Sequence, residues 1–309
     1  MGGVIVLAGP TGIGKSEVAL SLAREIPAEI VAVDSMQVYR GMDMGTGKPS
    51  GEVRRQAPHH GMDLAEPEEE FDAIRYARAV APVIEAIRRR GRWAILTAGC
   101  GLYLRVLRKG ICNAPGKDPE VRARLLERAS SEGPEVLHAR LAEVDPAAAQ
   151  RIHSNDLRRV VRALEVYEVT GRPMTQWHQE QEIPRQDDWR MVGFDCGREL
   201  LYGKIEARID GWLAAGWVEE AKALSRRNLG PTAREALGYR ELFDHFQGGA
   251  GWDETRALIH RNTRRYAKRQ LSWFRHESGV EWIAVGQDPL QTAHEILARS
   301  ASAIECWRT

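Results

Sequence analysis

The chain has few cysteines, and none of them are close together. Cys100, Cys112, Cys196 and Cys306 are scattered over 309 residues with no C-x-x-C spacing. That leaves no disulfide framework and no cysteine-paired metal motif, and points to free thiols in a reducing compartment. No apolar run approaches the length of a membrane span. A core strand begins so near the first residue that no signal peptide is expected. These absences together predict a soluble, cytoplasmic protein without membrane attachment. Net charge is nearly absent as well, +1 over the whole chain, so the average composition names no partner. Internal repeats and low-complexity segments are missing too. The 43% hydrophobic content is enough for one large domain or two smaller ones.

Against this background one segment stands out. Gly9-Pro10-Thr11-Gly12-Ile13-Gly14-Lys15-Ser16 fits the phosphate-loop pattern G-x-x-x-x-G-K-[ST]. Its context also fits, with the apolar run Val4-Ile5-Val6-Leu7 before it and a helical stretch from Glu17 to Arg24 after it. Glycines let successive N–H groups point inward. The helix N-terminus and Lys15 add positive charge, and the Ser16 hydroxyl is suited to Mg²⁺. The expected guest is a di- or triphosphate, as in nucleotide- and ATP-binding proteins.

Further strand-like runs lie at Glu29–Val33 and Trp93–Leu96, with helical periodicity from Phe71 to Arg90 between them. This alternation predicts an α/β fold, a parallel sheet flanked by helices of the P-loop NTPase-like kind, with ligands beyond the carboxyl ends of the strands. From Pro115 the character changes. Helical segments punctuated by Gly133-Pro134 and Asp145-Pro146 follow without a strand, so residues 115–190 are expected to form a helical insertion. Residues 1–114 and 191–309 would form the core. Strand character returns at Arg190–Asp195 and again at Trp282–Val285.

Asp34 ends the second strand, near the phosphate loop. It reads either as a cap for the following turn or as a metal ligand or general base. The loop from Ser35 to Pro49 is dense in glycine and hydrogen-bonding groups, which in a compact domain favours function. Adjacent histidines such as His59-His60 point in different directions and make poor joint metal ligands. Between Thr255 and His276 there is no acidic residue but seven arginines and lysines: Arg256, Arg261, Arg264, Arg265, Lys268, Arg269 and Arg275. Tyr266, Trp273 and Phe274 interleave with them. One sign of charge along about five helical turns suggests a polyanion, and the aromatic groups favour unpaired RNA bases. Arg151, Arg158, Arg159 and Arg162 form a second cluster.

Taken together these motifs resemble the tRNA dimethylallyltransferases, which attach an isopentenyl group to an adenine beside the anticodon. The resemblance runs to about Glu277. It is carried by Asp34-Ser35, Tyr39 to Asp43, Gly45 to Pro49, Pro58-His59-His60 with Asp63, Gly101-Leu102-Tyr103, Asp156 to Arg159, Gly238 to Glu241, and Lys268-Arg269-Gln270. The absence of a Cys/His finger pattern after the basic helix makes it similar to the bacterial type.

The resemblance implies that residues Gly9 to Ser16 hold the diphosphate of dimethylallyl diphosphate, with Mg²⁺ on Ser16 and Arg208 closing on the same group. It implies that Asp34 accepts a proton from the adenine amine, that Ser35, Met36 and Gln37 line the base, and that Arg122, Arg158, Arg159, Arg162 and Arg240 touch tRNA. Cys100 stands where the family usually has threonine, near the reacting centre, and a thiol is a weaker donor. A monomer is expected. An ATP-dependent phosphotransferase acting on a metabolite, an enzyme prenylating free AMP, and a nucleotide switch that binds RNA remain as alternatives to this reading.

Overall fold

The computed structural model describes residues 2–110, 114–179, 188–286 and 288–299. Cys112 and Cys306 lie outside them. The strands are β1 (Val4–Ala8), β2 (Ala28–Val33), β3 (His59–His60), β4 (Trp93–Ala98), β5 (Arg190–Asp195) and β6 (Val280–Ala284). They form one sheet in the order β3-β2-β4-β1-β5-β6, and every pairing is parallel. All of β1 and β2 is buried, as expected for parallel strands covered on both faces.

The helices are α1 (Lys15–Glu25), α2 (Gly51–Gln56), α3 (Ala73–Arg89), α4 (Gly101–Lys109), α5 (Pro119–Glu132), α6 (Pro134–Val144), α7 (Pro146–Arg151) and α8 (Leu157–Thr170). They continue with α9 (Met174–Trp177), α10 (Arg198–Ala215), α11 (Trp217–Leu224), α12 (Pro231–Arg234), α13 (Tyr239–Phe246), α14 (Trp252–Arg275) and α15 (Pro289–Ala298). Several starts follow from an aspartate followed by proline. Asp118, Asp145 and Asp288 each accept a backbone N–H of the first turn, with proline at the helix start where no N–H is needed.

The chain divides into two compact units, residues 1–106 with 187–309, and residues 107–186. Composition placed that division at 115 and 190. The first junction falls inside α4, where no proline or glycine marks it.

Glu29 looks out of place in the apolar β2. It is buried, yet fully partnered: His60 Nε2 lies 2.7 Å from Oε2, and Arg90 donates to both carboxylate oxygens at 2.9 Å. His59 instead turns its Nδ1 to the Ala57 carbonyl at 2.7 Å. The adjacent histidines therefore serve separate structural contacts, and no cluster of metal-ligating side chains occurs among the described residues.

The second unit is all helical. Its core joins Leu125, Leu137, Leu141, Val160, Val161 and Leu164. At its edge the Glu165 carboxylate, fully buried, accepts from Asp118 N, Arg122 and Arg162, each at 2.8 Å. Burial alone would raise its pKa, but the two guanidinium groups and the amide hold it below the usual carboxylate value. Since the folded value is depressed, this contribution to stability is complete above the unfolded pKa and is lost as pH falls through the folded one. Glu165→Ala should cost about 3 kcal/mol, because it removes the buried carboxylate that two half-buried guanidinium groups share. Urea unfolding at pH 7 checks this, and the difference from the parent should shrink on acidification.

Candidate functional site

The chain bends sharply between β1 and α1. Gly12 and Gly14 adopt φ of 82° and 104°, which side chains resist. A Cβ at Gly12 would also come within 2.8 Å of Ile205. Gly14 caps α1 without a side chain, so the first-turn N–H groups are left for a ligand. Lys15 Nζ donates to the carbonyls of Gly9 and Pro10 at 2.8 Å each. Gly9 and Pro10 are buried and form the floor, while Thr11 to Ser16 line a cavity of about 680 Å³.

Arg208 reaches this cradle from α10. It donates to Thr11 Oγ1 at 2.5 Å and lies over the Trp212 ring, 4.6 Å from its centroid. Neither Lys15 nor Arg208 is ion-paired among the described residues. Burial, then the nearby Arg208, bring Lys15 down to about 7 against the opposing pull of Asp34. Burial likewise brings Arg208 down to about 10. Two sequestered cations of one sign call for an anion.

Asp34 projects from the end of β2. Its Oδ1 accepts from Met36 N at 2.8 Å and Gln37 N at 3.4 Å, so the capping reading applies to that oxygen. Its Oδ2 faces β4, where a Cβ on Gly99 would stand 3.0 Å away. Burial raises the Asp34 pKa in spite of the two amides, Lys15 and Arg208, which makes the carboxylate a better proton acceptor.

A second cavity of about 450 Å³ adjoins the first, and Ser35, Met36 and Arg240 line it. Six residues border both cavities: Thr11, Asp34, Thr46, Arg208, Trp212 and Tyr266. The wall containing Thr46 is held by a buried lysine. Lys48 Nζ bonds Asp43 and Asp63 at 2.7 Å each, with its side chain only 1% exposed. Gln37 was expected at the base. It borders the first cavity, and its carboxamide nitrogen donates to the carbonyls of Thr46 and Gly47 at 3.0 and 3.4 Å. Cys100 immediately precedes α4, beside Ser35 and Asp34. Its thiol is pushed up by burial and hydrogen-bonds backbone amides of that helix turn.

The basic helix α14 is less uniformly open than its sequence suggests. Arg256 pairs with Asp210 at 2.9 Å, Arg275 with Asp195 at 2.8 Å, and Arg264 with Glu206. Arg261, Arg265, Lys268 and Arg269 are exposed and have no ion pair among the described residues. Their spacing puts them along one side of the helix. In the helical unit, Arg122 and Arg162 are committed to Glu165, whereas Arg158 and Arg159 are exposed, with Arg159 also paired to Asp156 at 3.3 Å. Sequence reasoning missed Trp212, Tyr266 and Thr46 as site residues. It also missed Gln270, which was visible only as part of a motif and carries no charge to mark it.

Binding of inorganic diphosphate should take up a proton and weaken as pH rises above about 7, because the anion would restore the lowered pKa of Lys15. Calorimetry in buffers of different ionisation heat measures that uptake. Equal uptake by Lys15→Met would reject Lys15 as its source.

Comparison with known proteins agrees with this geometry. The family described as IPP transferase matches residues 37–277, and the one described as isopentenyl transferase matches residues 2–56. The tRNA dimethylallyltransferase of Geobacter sulfurreducens is 44% identical over 91% of each chain. That of Symbiobacterium thermophilum is 46% identical over 96% of this chain and 94% of its own. Among solved structures, the tRNA isopentenylpyrophosphate transferase of Bacillus halodurans superposes with a TM-score of 0.71 at 34% identity, covering 100% of this chain and 98% of its own. A eukaryotic dimethylallyltransferase acting on tRNA gives 0.79 at 28% identity, over 99% and 80%. With the family match spanning most of its length and relatives this similar end to end, the chain belongs to the IPP transferase family, that of the tRNA dimethylallyltransferases.

Proposed function

We propose that this protein transfers the dimethylallyl group of dimethylallyl diphosphate to the exocyclic N6 amine of an adenine next to the anticodon of tRNA. The observation that carries this reading is the pair of cavities meeting at Asp34, Thr11 and Arg208. One is lined by the cationic phosphate loop and the other is open toward the cations of α14.

The donor's diphosphate lies on the amides of Gly12 to Ser16, with Lys15 and Arg208 on its oxygens. The adenine enters the second cavity, its amine toward Asp34 Oδ2. A bond forms from N6 to C1 of the allyl group as the C1–O bond breaks and its electron pair leaves with diphosphate. The developing allylic charge is delocalised, so the main demand on the protein is to stabilise the leaving group, which amides and cations fixed beforehand do well. Asp34 orients the weakly nucleophilic amine and takes its proton.

Mg²⁺ fits the exposed Ser16 hydroxyl at the mouth of the loop, since this ion takes few protein oxygens and completes its shell with water and phosphate. When bound it would add charge neutralisation to the diphosphate. Arg261, Arg265, Lys268 and Arg269 suit the phosphates of the anticodon stem. In the helical unit Arg158 and Arg159 are the exposed candidates for RNA contact, and Arg122 and Arg162 serve first to build the unit. A monomer acting in the cytoplasm is consistent with this role.

Labelled dimethylallyl diphosphate and unmodified tRNA should yield labelled tRNA, whereas AMP as acceptor, or ATP with a small metabolite, should yield nothing comparable. Phosphoryl transfer from ATP without prenylation would sink the proposal. Asp34→Ala should lower turnover by roughly two to four powers of ten, measured with tRNA bound. Cys100→Thr should turn over faster than the parent, because a hydroxyl is the better donor. A slower variant would show that the thiol is not a compromise.

A further inference from the structure

Gln270 is a buried polar side chain with a use the chemistry above does not include. It lies on α14, turned to the buried side, whereas Lys268 and Arg269 are exposed, and is 6% exposed. Its Oε1 accepts from Thr11 N at 2.8 Å. Its Nε2 donates to the Gly99 carbonyl at 2.7 Å. The contacts continue at each end. Thr11 Oγ1 receives Arg208, and Gly99 N donates to the Val33 carbonyl at 3.1 Å, one residue before Asp34. A Cβ on Gly99 would stand 3.5 Å from Gln270 Nε2 and 3.0 Å from Asp34 Oδ2. One carboxamide thus ties the phosphate loop to the end of β4, between the group that grips the leaving diphosphate and the group that takes the proton.

We propose that Gln270 is a positioning residue for the transfer. It fixes the distance between the Thr11–Arg208 end of the site and the Gly99–Asp34 end, and it does so from the helix that carries the exposed cations. The requirement is for a group with one acceptor and one donor at fixed separation. Glutamine meets it without charge. A carboxylate would set an oxygen against the Gly99 carbonyl and close to Asp34, whereas the protonated acid would restore the missing donor. Misplacement of reacting groups by about an ångström costs on the order of a hundredfold in rate, so this tie affects turnover far more than RNA binding.

The inference rests on the proposed reaction, and two measurements keep the failure of one distinct from the failure of the other. In the first, single-turnover rates with saturating tRNA are taken for the parent, Gln270→Glu and Gln270→Leu from pH 6 to pH 8.5. Both variants should be slowed by about 30- to 100-fold at the upper end, with tRNA affinity within about twofold of the parent. The ratio of Gln270→Glu to parent should then rise at least about fivefold as pH falls and the acid protonates, while that of Gln270→Leu stays flat. A structural defect alone would not give that pH-dependent recovery.

The second measurement is the affinity for inorganic diphosphate alone, without prenyl donor or RNA. Both variants should bind it about tenfold more weakly at pH 8, because Thr11 and Arg208 are released. A parent that binds diphosphate but prenylates no tRNA would refute the reaction, and the binding comparison would still decide the role of Gln270. Variants matching the parent within about twofold in diphosphate affinity would overturn the inference, as would equal pH profiles for the glutamate and leucine variants.

Discussion

Lys15 and Arg208 are held together with no ion-paired acid among the described residues, and the rest of the site is arranged around that repulsion. Burial disfavours the charge of each and brings Lys15 down to about 7. The main-chain carbonyls of Gly9 and Pro10 take up the lysine's hydrogen bonds, and the Trp212 face backs the arginine. Neither contact neutralises anything. In the proposed reaction a diphosphate does, and its charge grows as its bond to carbon breaks. Such a cradle stabilises the departing group more than the bound donor, which is the differential on which rate acceleration depends.

The fold makes this arrangement affordable by placing the unfavourable charges at strand ends. The buried core of the sheet is apolar, and the one acid within β2, Glu29, is matched by His60 and Arg90. At the carboxyl ends of β1, β2 and β4 come the phosphate loop, Asp34 and Gly99. Segments far apart in sequence then complete the site, with Arg208 from α10 and Tyr266 from α14. Close packing fixes their approach. Trp217 lies where Cβ atoms on Gly45 or Gly238 would fall within 2.2 and 2.3 Å of its ring, so those glycines let the loop and α13 close around it.

Much of this was legible in the sequence. Strand runs, the loop pattern and aspartate–proline helix starts each have a local physical cause, and the corresponding elements formed within a few residues of expectation. Asp34 and Arg208, which the family resemblance singled out, both border the phosphate-loop cavity. What the sequence hid was pairwise. Nothing local distinguishes Arg122 and Arg162, committed to Glu165, from Arg158 and Arg159, which are exposed. The acid-free basic run of α14 from Arg256 to Arg275 likewise concealed Asp210, Glu206 and Asp195, acids supplied by α10 and β5. Gln37 has the hydrogen-bonding chemistry to read a base, yet its carboxamide holds two backbone carbonyls.

Those hidden pairings also narrow the surface open to a polyanion. An arginine already bonded to a carboxylate must give up that partner before it can serve a phosphate, so its net gain is small. On α14 the cations with most to gain are those without an ion pair among the described residues, Arg261, Arg265, Lys268 and Arg269. Arg265 and Arg269 also border the second cavity, which Asp34 lines, so the helix face proposed to attract a backbone continues into the chamber proposed for a base. Attraction and chemistry thereby share one helix, which requires α14 to be held rigidly to the phosphate loop. A charged tether there would add to the repulsion or cancel the pull on the anion. A neutral carboxamide does neither, and that is the physical reason a glutamine occupies position 270.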